Sequence, residues 1–97
     1  MLDCAFVRSQ FPAFSEAALQ GQAFFENAGG SYTCQQVIDR LFRFYTQRKV
    51  QPYGAYAASG LGGAEMDEAG ARLSAMMGVA AEELSFGPST TQNTYVL

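Results

Sequence analysis

Leu84-Ser85-Phe86-Gly87-Pro88-Ser89-Thr90-Thr91-Gln92-Asn93-Thr94-Tyr95-Val96-Leu97 is the stretch on which the choice of fold turns. Its first three residues suit a short apolar strand, Gly87 and Pro88 break it, and Ser89, Thr90 and Thr91 stand where the next helix begins. A helix start at that point offers free backbone N–H groups beside hydroxyl donors, a combination suited to a phosphate. Capping of the helix by Ser89 or Thr90 is the plainer role for the same residues. Because the chain stops within about two turns of this start, less than most globular helices need, the turn is expected to be half of a phosphate site whose other half lies in further polypeptide.

Working outward, 97 residues allow one modest domain, and 48% hydrophobic with 13% aromatic residues supply material for a core. A net charge of -3 argues against a binder of nucleic-acid backbone, and the basic residues do not cluster apart from Arg48-Lys49. No apolar run approaches the roughly 20 residues that span a bilayer, and Asp3 with Arg8 does not resemble a signal peptide, so a cytoplasmic protein is expected. Cys4 and Cys34 form no CxxC pair and the chain has no histidine, so the usual zinc-ligand sets and the Ser-His and Cys-His nucleophile pairs are missing. No metal and no complete catalytic device are expected within these residues.

The spacing predicts a short helix over residues 3–10 capped by Asp3, ended by Phe11-Pro12, and a weaker helical turn around residues 15–19. Gln22-Ala23-Phe24-Phe25-Glu26 is an apolar run between Gly21 and Asn27-Ala28-Gly29-Gly30, expected to be a buried strand entering a tight turn. Thr33 and Gln36 have capping-box spacing for a long helix whose apolar positions are Val37, Ile38, Leu41, Phe42, Phe44 and Tyr45, ending at Arg48-Lys49. Residues 50–63, rich in glycine and small side chains, predict an extended connection. A second long helix is expected from about Ala64, with Met66, Ala69, Leu73, Met76 and Met77 as its apolar stripe and Gly78 as its C′ residue. Glycines at 62, 63 and 70 weaken it by about 1 kcal/mol each unless a close neighbour needs the space.

This order, carried by Ala23-Phe24-Phe25-Glu26-Asn27-Ala28-Gly29-Gly30-Ser31, Val50-Gln51-Pro52-Tyr53-Gly54-Ala55-Tyr56-Ala57 and Phe86-Gly87-Pro88-Ser89-Thr90-Thr91-Gln92-Asn93, resembles the beginning of a class V aminotransferase or cysteine desulfurase-like enzyme. Together with the intervening helices the resemblance covers residues 6–97. It implies a helix-rich α/β fold: an incomplete N-terminal segment, residues 1–97, of the fold type I transferases that use pyridoxal 5′-phosphate, with two short strands and two long helices. It assigns the cofactor phosphate to Ser89, Thr90 and Thr91, and the substrate side of the cofactor to the turn at Ala28 and Gly29. The Schiff-base lysine, the aspartate paired with the pyridinium nitrogen and the ring-stacking aromatic group are all expected outside residues 1–97. Lys49, Cys4 and Cys34 inherit no catalytic role. Related enzymes often carry a histidine or polar residue in the loop matching Tyr53 to Ser59, where tyrosines and alanines stand here, and this leaves the reaction unassigned.

The expectation is therefore an enzyme acting on an amino acid when complete, a homodimer by resemblance, with the 97-residue piece inactive and loosely packed or aggregating alone. The competing expectation is a stand-alone small α+β binding or interaction module without catalytic activity. Another α/β phosphate- or nucleotide-binding domain is a third, although neither GxGxxG nor GxxxxGK[ST] is present.

Overall fold

The computed structural model describes all 97 residues. The chain is entirely helical in its regular structure. α1 (Cys4–Ser9) is followed by two 3-10 turns, Pro12–Ser15 and Ala17–Leu19. α2 (Gln35–Arg43) runs on as a π-helical turn, Phe44–Arg48, and α3 (Ala57–Met77) precedes a 3-10 turn at Ala81–Glu83 and α4 (Thr90–Val96). The α/β expectation with two short strands is corrected: neither Gln22–Glu26 nor Leu84–Phe86 forms a strand. An apolar run bounded by turns becomes a strand only when a second backbone completes its ladder, and neither segment has such a partner in this chain. The chain divides into two compact units, Met1–Lys49 and Val50–Leu97.

In the first unit α1 forms as its cap predicts, with the Asp3 carboxylate accepting from the Phe6 N–H at 3.0 Å. The weak turn expected at residues 15–19 is realised as the 3-10 turn Ala17–Leu19, and an unexpected 3-10 turn, Pro12–Ser15, precedes it, opened by Pro12, which supplies the fixed φ such a start needs. The expected Thr33–Gln36 capping box does not form. Cys34 occupies the cap of α2 without a side-chain bond. Instead, the Gln35 N–H donates to the Gln10 carbonyl at 2.8 Å, and the Gln36 side-chain amide donates to Gln10 Oε1 at 2.7 Å. A long-range acceptor at the end of α1 thus replaces the local cap, and it fixes where α2 begins. The Thr46 hydroxyl donates to the Phe42 carbonyl at 2.8 Å inside the π-helical turn, which ends before Lys49.

In the second unit α3 starts at Ala57, seven residues before the sequence predicts, so that Gly60, Gly62 and Gly63 lie inside a helix. Part of the reason is steric. A Cβ at Gly63 would stand 2.7 Å from Cδ1 of Tyr53, so this glycine makes room for the tyrosine ring on the helix surface. Ser59, fully buried, accepts from the Gly54 N–H at 2.6 Å and donates to the Gln51 carbonyl, while the Tyr53 N–H donates to the Ser59 carbonyl at 3.3 Å. Of the glycines that signal a connection, Gly63 is here packing surface for the preceding loop, whereas Gly60 faces open space. At its far end α3 closes as expected: Gly78 is left-handed at φ 71°, its N–H donates to the Ala75 carbonyl at 3.3 Å, and the Val79 N–H donates to the Ser74 carbonyl at 3.0 Å.

The apolar stripes are uncovered. No apolar side chain larger than glycine is fully buried, and Val37, Ile38, Leu41, Phe42, Phe44 and Tyr45 of α2 and its π-helical extension are all exposed. So are Met66, Met76 and Met77 of α3. The accessible surface is 8154 Å², whereas two separately folded bodies of about 5 kDa would expose roughly 6,500 Å² together. No helix is long and apolar enough to cross a membrane.

Candidate functional site

The second unit carries the hydroxyl turn. Ser89 sits in extended backbone at the cap of α4, and its Oγ accepts from the Gln92 N–H at 3.2 Å while its carbonyl accepts from the Asn93 N–H at 2.9 Å. Ser89 is therefore engaged as a helix cap. The next two residues, Thr90 and Thr91, are exposed and belong to the first turn of α4, where backbone N–H groups have no partner within a helix. Gly87 precedes them for a steric reason: a Cβ there would overlap the Asn93 side-chain amide, which folds back over the entry to α4. The structure gathers Ser89, Thr90 and Thr91 in one turn. No basic side chain belongs to it, so its donors are N–H and O–H groups alone.

The donor set of Thr90 and Thr91, two hydroxyls and two amides, is of the kind that meets phosphate oxygens, and Ser89 contributes chiefly by holding the turn. Such a group fits here as one face of a site, since a dianion held by these donors alone keeps its remaining oxygens for other partners.

Upstream in the same unit lies a polar lock. Tyr53 has a left-handed backbone, φ 63°, a conformation in which side chains other than glycine are uncommon. Its hydroxyl donates to Asp67 Oδ1 at 2.7 Å. That bond, first, and then burial and the nearby negative charge raise the Tyr53 pKa above 10.0. The bond locks the loop onto α3 together with Ser59 and Gly63.

The first unit carries the glycine turn. Residues 27–29 turn the chain, and the Ser31 hydroxyl donates to Asn27 Oδ1 at 3.1 Å across it. Gly29 lines an open recess of about 410 Å³ together with Phe24, Glu26, Gly30, Ser31 and Tyr32; Ala28 is not among its walls. A Cβ at Gly29 would stand 3.4 Å from Glu26 Oε1, so the carboxylate lies close over the turn. The Phe24 and Tyr32 rings meet at 5.0 Å between centroids, tilted by 50°. Tyr32 in turn packs against Phe14 at 6.0 Å, Phe14 against Phe11 at 6.2 Å, and the Arg8 guanidinium lies 4.2 Å from the Phe14 centroid.

Sequence reading found Gly29 but missed Phe24, Glu26 and Tyr32, because the first two were assigned to a buried strand. Aromatic residues on both sides of a two-glycine turn, with an acid adjoining it, were the available signal. Lys49, the lysine of the chain, lies 5.0 Å from the Tyr45 ring centroid as a cation against an aromatic face. Comparison of the chain with family models, curated proteins and solved structures found no match.

Proposed function

We propose that this chain works as part of a larger folded body, a pyridoxal-phosphate enzyme of the class V aminotransferase or cysteine desulfurase-like kind acting on an amino acid. The observation that carries this is the uncovered apolar surface. A chain with eight phenylalanines and five tyrosines that buries none of them fully needs further polypeptide against its helix faces. The order of the three sequence segments supports the kind of body. In it, Thr90 and Thr91 hold phosphate oxygens, Ser89 fixes the turn that presents them, and Ala28 and Gly29 let backbone approach the substrate side. The cofactor lysine comes from polypeptide outside these residues, and the chain alone is inactive. The cytoplasm and a homodimer are the compartment and assembly that go with this proposal.

Equilibrium dialysis of the chain against pyridoxal phosphate and against unphosphorylated pyridoxal tests it. Retention should depend on the phosphate and fall in Thr91→Ala and Thr90→Ala. Equal retention of the two compounds, or a visible absorption band lost in Lys49→Ala, contradicts the assignment.

A further inference from the structure

We propose that the recess beside the glycine turn binds an organic ammonium group. Its lining combines two aromatic rings with a single carboxylate. The Phe24 and Tyr32 rings, 5.0 Å apart and tilted by 50°, form an angled pair, and aromatic faces are negative. The Glu26 carboxylate adds a full negative charge over Gly29. No lysine or arginine lines the recess, and Glu26 forms no ion pair within the chain, so the charge is uncompensated. A carboxylate or phosphate placed there would meet repulsion from Glu26. An uncharged apolar group would desolvate Glu26 without return. An alkylammonium satisfies all three walls: methyl or methylene groups against the rings, and charge toward the carboxylate.

The neighbouring contacts support a preset shape. Tyr32 also meets Phe14 edge-on at 6.0 Å, and Phe14 carries the Arg8 guanidinium 4.2 Å from its centroid, so the Tyr32 ring has a second aromatic neighbour besides Phe24. The Ser31 hydroxyl donates to Asn27 Oδ1 and closes the turn. At about 410 Å³ the recess accommodates a small amine or the ammonium end of a longer molecule. This inference stands on the geometry of the first unit and does not require the pyridoxal assignment.

The test is a titration of the full chain with choline chloride and with its uncharged carbon isostere, at constant ionic strength, followed by the ring resonances of Phe24 and Tyr32. Choline should saturate and bind about tenfold more tightly than the isostere. Glu26→Gln should lose about tenfold in choline affinity, and Tyr32→Leu should abolish saturation while Tyr32→Phe retains it. The Tyr32→Phe variant keeps the packing of the turn, so its retained binding separates loss of a ring face from loss of structure. Equal binding of the isostere, unchanged choline affinity in Glu26→Gln, or no saturable choline binding overturns the proposal.

Discussion

The loop and helix start over residues 51–67 and the aromatic turn over residues 24–32 are organised in opposite ways. The first is set by directional bonds and steric fit: a buried serine bonded to two loop backbones, a tyrosine hydroxyl on Asp67, and a glycine that leaves room for a ring. The second is set by ring edges and faces that remain partly wet, and none of the residues 1–49 is buried. A lock of the first kind holds its geometry without help, because each bond has one satisfying arrangement. Contacts of the second kind gain when something covers them, and the candidate ligand recess lies among them.

The contrast can be broken most severely at Ser59. Ser59→Ala leaves the Gly54 N–H and the Gln51 carbonyl without their partner and should cost about 1–3 kcal/mol in the protection of the first turns of α3, read by amide hydrogen exchange. Gly63→Ala gains helix propensity, about 1 kcal/mol, but sets a methyl against the Tyr53 ring. The net change should still loosen the same turns by about 1–2 kcal/mol. If protection rises instead, the tyrosine contact is not what shapes the loop.

In the first unit, Phe14→Leu removes two ring pairs and the surface under Arg8, and it should cost about 1 kcal/mol, visible as altered shifts at Tyr32 and Arg8 with α3 untouched. Ser89→Ala should fray α4 by about 1 kcal/mol through loss of the cap on the Gln92 N–H. The smallest effect is the pH response of Tyr53. Its folded pKa is raised, so its bond to Asp67 contributes fully below the ordinary tyrosine value of about 10 and is lost as pH rises through the folded value. Amide protection at the start of α3 should fall in that alkaline range, and Tyr53→Phe should remove the pH dependence.

How much of this was legible in the sequence follows the range of the contacts. The Asp3 cap and the closure at Gly78 were read correctly, since each depends on residues a few positions apart. The cap of α2 was misread because its acceptor, Gln10, lies far back in the chain. The start of α3 was misread because glycines at 60, 62 and 63 look like a connection, and only the position of the Tyr53 ring reveals what Gly63 is for. The two strands failed for the same reason in stronger form, since a ladder is a property of a pair of segments. In the hydroxyl turn the sequence located Ser89, Thr90 and Thr91, and the structure separates the cap from the two exposed threonines. The aromatic recess was invisible because its ring geometry depends on Tyr32 returning past the turn to meet Phe24.

Calorimetry of the monomeric chain tests the central claim most directly, namely that these helices cannot cover their own apolar faces. A broad, weak transition is predicted, with an enthalpy well below the roughly 0.7 kcal/mol per residue of a packed globular protein near 60 °C. A sharp two-state endotherm of full enthalpy, independent of concentration, would contradict it.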